Sequence, residues 1–132
     1  MLGDPAMGNT ERMDSGATRT STEWLQDILN AIARARIADK RMRLAKSLAD
    51  DVGFGIAYEA ILFNRIIIAE AVHRLPAQVR DQAPAIPWDE LAALRDVIGQ
   101  PDQRVIPAGV DGPFEEDLGA LESPVRRLMM QL

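Results

Sequence analysis

The 132-residue chain contains no cysteine, a single histidine and few aromatic residues, the last making up 5% of the sequence. Without cysteine there is no disulfide framework, thiolate metal site or sulfur nucleophile, and the cytoplasm is the compartment expected by default. One histidine, His73, rules out a multi-histidine metal cluster or a His pair within one chain, so no cofactor is expected. A general excess of basic charge is missing too: 15 Lys and Arg stand against 20 Asp and Glu, a net charge of −5. That balance excludes a wholly basic nucleic-acid coat. The longest apolar stretch, around Ile56 to Ala71, is broken by Glu59, Asn64, Arg65 and Glu70. It falls short of the roughly 18–20 uninterrupted apolar residues of a typical membrane span, and no membrane association is expected.

The length suits one domain. Residues 1–20 hold Gly3, Pro5, Gly8, Asn9, Ser15 and Gly16 without an apolar core, and read as a disordered tail rather than a targeting peptide. A start codon placed too early, with Met7 or Met13 as the true start, would account for such a tail. Residues 21–132 then form the domain. Thr20 and Glu23 have capping-box spacing, in which each side chain satisfies the other's free backbone N–H at a helix start. Trp24, Leu25, Ile28, Leu29 and Ile32 follow at helical spacing, and this helix is expected to run to about Ala38. Arg34, Arg36, Lys40, Arg41, Arg43 and Lys46, with only Asp39 among them, form the one basic island.

Asp50, Asp51, Gly53 and Gly55 interrupt the pattern, after which Phe54, Tyr58, Ile61, Arg65, Ile68, Val72 and Leu75 recur four and three residues apart. That is the seam of a long helix. Ile56, Ala60, Phe63, Ile67 and Ala71 add a second stripe, so the helix is apolar around most of its circumference and needs cover on several sides, part of which a second copy of the chain would supply. Pro76 stops it, and Pro84 and Pro87 frame a connection. A helix over Asp89 to Ile98 is expected, with Trp88, Leu91, Leu94 and Ile98 inward. Residues 100–112 read as a functional loop, and Phe114 to Leu132 as a last amphipathic helix that Pro124 can kink. No strand-like alternation competes. The expected fold is all-α, an up-and-down bundle of four to five helices, dimeric through its surplus apolar surface.

Three segments carry a resemblance: Leu25-Gln26-Asp27-Ile28-Leu29-Asn30-Ala31-Ile32, then Ile68-Ala69-Glu70-Ala71-Val72-His73-Arg74-Leu75-Pro76, then Ile86-Pro87-Trp88-Asp89-Glu90-Leu91-Ala92-Ala93-Leu94-Arg95-Asp96. In order and spacing they resemble the HepT-like family of the HEPN superfamily, whose pattern runs L-x-D-I-L-x-A-I, I-G-E-A-x-x-x-L and I-P-W-x-x-I-x-x-L-R-N/D. Gly109-Val110-Asp111, Asp117-Leu118 and Leu121 also fall where that family has related residues. The resemblance spans residues 22 to 132. It implies a small helical toxin that dimerises, cleaves RNA without metal and pairs with an MntA-type nucleotidyltransferase antitoxin.

The resemblance further implies that chemistry sits on an Arg-x-x-x-x-His motif, the arginine steadying charge on the phosphate and the histidine moving a proton. Arg95 matches the arginine and Asp96 the polar residue after it, but Gln100 stands at the histidine position. An amide is no general base. Two residues on, Asp102 occupies the position of the tyrosine that the antitoxin can modify with adenylate. The expectation is a weak or inactive ribonuclease, or else a noncatalytic helical subunit that binds a nucleotidyltransferase-type antitoxin. His73 is expected to be a surface or interface residue, Glu70 a structural one, and Trp24 and Trp88 core anchors; Arg104 is a candidate addition to the site by proximity alone. The basic island is either a phosphate-binding surface or a solvated helix face.

Overall fold

A computed structural model describes residues 19–98 and 118–132. Five α-helices lie among them: α1 Ser21–Ser47, α2 Asp51–Arg74, α3 Ala77–Arg80, α4 Trp88–Ile98 and α5 Glu122–Gln131, the last preceded by a 3-10 turn at Gly119–Leu121. No strand occurs among the described residues, and the fold is all-α. Most of the tail expected over residues 1–20, the expected loop at 100–112 and residues Phe114 to Asp117 of the expected last helix lie outside the described residues.

The α1 start forms as its sequence predicts. Thr20 Oγ1 accepts from the Glu23 N–H at 3.1 Å, and Glu23 Oε1 accepts from the Thr20 N–H at 2.9 Å. The helix does not stop near Ala38 but continues to Ser47, because Ala35, Ala38, Met42 and Ala45 prolong the buried stripe beneath the basic island. Lys and Arg are good helix formers, so a change from apolar to cationic outward residues carries no stop signal.

Nor do the glycines delay α2 until Phe54; it starts at Asp51, with Asp50 as its N-cap. The Asp50 carboxylate accepts from the Gly53 N–H at 2.9 Å, and a Cβ at Gly53 would collide with that carboxylate. Between the two helices the chain turns in a Schellman arrangement. The Asp50 N–H donates to the Ala45 carbonyl at 2.8 Å and the Ala49 N–H to the Lys46 carbonyl at 3.2 Å, with Ala49 in the left-handed region at φ 56°.

The short turn makes α1 and α2 antiparallel neighbours; α4 packs on α2, and α5 on α1. The principal core joins Leu25, Ile28 and Ile32 of α1 to Ile68 and Val72 of α2, Trp88 and Leu91 of α4, and Leu118, Leu121, Val125 and Leu128 near the C-terminus. Full burial of each large side chain contributes roughly 1.5–3 kcal/mol. A smaller cluster of Ala38, Met42, Ala57 and Ile61 lies nearer the turn, with Phe54 and Tyr58 against it. The polar residues Asn64 and Arg65 fall between the α2 segments that feed the two clusters, and both are buried.

By length and composition α2 is apolar enough to cross a membrane. A third of that apolar window is buried inside the bundle, 33%, with Ile61, Ile68, Ala69 and Val72 in the core. The stretch after Pro76 is more ordered than a bare connection: α3 makes one turn, and the indole Nε1–H of Trp88 donates to the carbonyls of Arg80 and Ala83, both at 3.0 Å. Pro124 causes no break, since it lies within the first turn of α5, where its missing N–H is not needed.

An alanine held at positive φ is strained relative to glycine. Ala49→Gly is therefore expected to raise unfolding stability by about 0.5–1 kcal/mol, whereas Asp50→Ala, which removes the cap, lowers it by about 1 kcal/mol. Urea titration of the three proteins checks both signs.

Candidate functional site

The helix α4 is amphipathic, with Trp88 and Leu91 buried and Leu94 half-buried, and it lies along α2. Arg95 and Asp96 belong to its last turn. The structure thus places these two residues at the end of α4, immediately before the 99–117 stretch. Gln100, Asp102 and Arg104 lie outside the described residues.

Elsewhere in the bundle, Glu70, Trp24 and Trp88, which the sequence singles out, have definite partners. Glu70 is half-buried and accepts from Arg74 Nε at 2.8 Å, an ion pair one helical turn apart on α2. His73 is exposed in the last turn of α2. Trp24 is half-buried against the principal core, with the Arg19 guanidinium 4.3 Å and that of Arg74 5.9 Å from its ring centroid. Trp88 is buried with its N–H satisfied, so both tryptophans serve the packing. Among the described residues no three His, Asp or Glu side chains gather into a metal-holding group.

The basic island occupies the second half of α1. Two of its cations are tied to carboxylates: Arg36 donates to Glu122 Oε1 at 3.2 Å, and Arg43 to the largely buried Asp39 at 2.9 Å. Arg34, Lys40, Arg41 and Lys46 are exposed. The face therefore presents a row of positive charge on an otherwise acidic protein, and the Arg36 bond was invisible to sequence reasoning because its partner lies 86 residues away. Glu122 also accepts from Arg126 at 3.0 Å. The hydrogen bond from Arg126 holds its carboxyl below the ordinary range, against desolvation and with further help from Arg36.

A profile of the family described as ribonuclease HepT-like matches residues 28–128, which run from the first turns of α1 into α5 and include Arg95. The chain belongs to the HepT-like ribonuclease family. No curated protein and no solved structure gives a significant match. Family membership connects the chain, at the level of the family, with HEPN-type RNase toxins.

Because the Glu122 carboxyl is held low, its contribution to stability is complete above the ordinary value of 4.5 and is lost as pH falls through the lowered one. Thermal melting between about pH 3 and pH 6 is expected to show a smaller acid loss in Glu122→Gln than in the wild type, with the two curves converging at the acid end.

Proposed function

We propose that this HepT-like ribonuclease-family member acts as the toxin-type partner in a toxin–antitoxin pair, with RNA cleavage weakened or absent. The observation that carries this reading is the family match over residues 28–128, which takes in Arg95 in the last turn of α4; the resemblance sets Gln100 where the family has its histidine. In such a site the arginine stabilises the charge that develops on the phosphate as the ribose 2′-hydroxyl attacks, with no metal required. The proton of that hydroxyl needs an acceptor, and an amide supplies none. General acid–base help is worth about a hundred- to ten-thousand-fold, which is the expected deficit. The exposed cations of α1 would hold RNA phosphates nearby, and that binding would weaken steeply with salt.

A second reading, a noncatalytic subunit that binds an MntA-type nucleotidyltransferase antitoxin, is favoured by Gln100 and Asp102 together. They replace both the proton-moving residue and the adenylate acceptor that the resemblance implies. Such a chain retains its folded surface for a partner while giving up the chemistry and its regulation.

Cleavage of total RNA at low salt without added metal separates the two. Restoring the histidine with Gln100→His is expected to raise the rate by about a hundredfold or more over the wild type. Adding Arg95→Ala to that variant should abolish the gain, while His73→Ala should leave it unchanged. Silence of Gln100→His in the presence of a folded protein overturns the nuclease reading and leaves the binding subunit.

A further inference from the structure

A hollow of about 470 Å³ lies between the 82–87 segment and the C-terminal end of the chain. Ile86, Leu121 and Leu128 form its floor; all three are almost fully buried and belong to the principal core. Pro84 and Pro87 stand on one side of it and Pro124 on the other. Proline has no N–H, so these walls carry fewer polar backbone groups than ordinary chain.

The wall formed by the 82–87 segment is held in place by its own hydrogen bonds. The Ile86 N–H donates to the Ala83 carbonyl at 3.1 Å and the Ala83 N–H to the Arg80 carbonyl at 3.0 Å, and the Trp88 indole donates to both of those carbonyls. Across the hollow, the Leu121 N–H donates to the Leu118 carbonyl at 3.0 Å. A largely pre-formed, mostly apolar hollow of a few hundred Å³ with a small number of polar groups is the usual shape of a small-molecule site.

Its charge is as selective as its shape. None of the described side chains that line the hollow is acidic, on a chain with 20 Asp and Glu and a net charge of −5. The one charged lining residue is Arg127, exposed on α5. Its neighbour Arg126 is tied to Glu122, whereas Arg127 makes no ion pair with a described residue. Gln131 follows one helical turn later on the same side of α5, and Gln82 lines the hollow from the facing segment. An arginine fork flanked by amide donors suits a planar carboxylate.

We propose that this hollow binds a small monocarboxylate with an aliphatic body, its hydrocarbon laid on Ile86, Leu121 and Leu128 and its carboxylate on Arg127. A neutral apolar ligand leaves Arg127 unused, and a multiply charged phosphate asks for more than one cation. The described lining residues lie outside α4, so the proposal stands apart from the nuclease reading.

NMR titration of the full chain with butyrate, hexanoate and octanoate tests it, since amide and methyl shifts report both affinity and place. Saturable shifts at Ala85, Leu121 and Leu128 are expected, with affinity rising about fourfold for each methylene added. Arg127→Gln should weaken octanoate by about threefold or more and leave 1-octanol, which has the same chain length without the charge, unchanged. Ala85→Trp and Ala120→Trp, at exposed lining positions on opposite sides, should fill the hollow and abolish saturable octanoate binding with unchanged helical circular dichroism. No saturable binding at millimolar octanoate, an affinity indifferent to chain length or to Arg127→Gln, or octanoate binding that survives both tryptophans would overturn the proposal.

Discussion

Everything else in the molecule rests on the antiparallel contact between α1 and α2, set by the three residues Leu48, Ala49 and Asp50. The Schellman bonds close the end of α1, and the Asp50 carboxylate opens α2 with no intervening slack. Because the turn is so short, the two helices have little freedom of register, and the small residues Ala35, Ala38, Ala45 and Ala57 keep their facing surfaces narrow. The later elements then dock onto surfaces that this hairpin has already shaped: α4 onto α2, and α5 onto α1.

Within that contact the core is not uniformly apolar. Asn64 and Arg65 are buried between the two clusters, with the Asn64 amide donating to the Ala60 carbonyl at 2.8 Å. On the facing helix Asp39 is largely buried and bound by Arg43. Buried polar groups are costly to leave unmatched, so they penalise a sliding of one helix past the other far more than methyl groups do. A long hairpin of leucine, isoleucine and alanine would otherwise tolerate alternative registers, each burying a similar area. The polar residues near its middle disfavour those alternatives.

Much of this architecture was legible in the sequence, for reasons that differ from element to element. The capping box at Thr20 and Glu23 is a local device, complete within four residues, and so reads directly. The periodicity of α2 survived the presence of Arg65 in its seam because position, not chemistry, defines the stripe. The end of α1 is not legible in the sequence, because it depends on Ala38 and Met42 finding Ala57 and Ile61 on α2, a tertiary fact. Gly53 looked like a breaker, yet it is the residue that leaves room for the cap. The candidate site was legible by another route. Nothing in the periodicity distinguishes Arg95 from any arginine late in a helix, and it stood out only through the order of motifs shared with the HepT-like family. Trp88 and Leu91, two residues of the motif that carries the resemblance, are buried in the core and so do structural work whatever the site does.

The bond between Arg36 and Glu122 spans 86 residues, whereas the α1–α2 contact closes across a three-residue turn. Loop-closure entropy therefore separates the two events in time: the hairpin can zip from its turn, but α5 must return from the far end of the chain before Val125 and Leu128 find the core. On a ribosome, α5 is also the last of these helices to emerge. Until it arrives, part of the apolar wall formed by Leu25, Ile28 and Ile32 remains open to solvent, so the nascent chain passes through an interval in which its hairpin is formed but its core is unsealed.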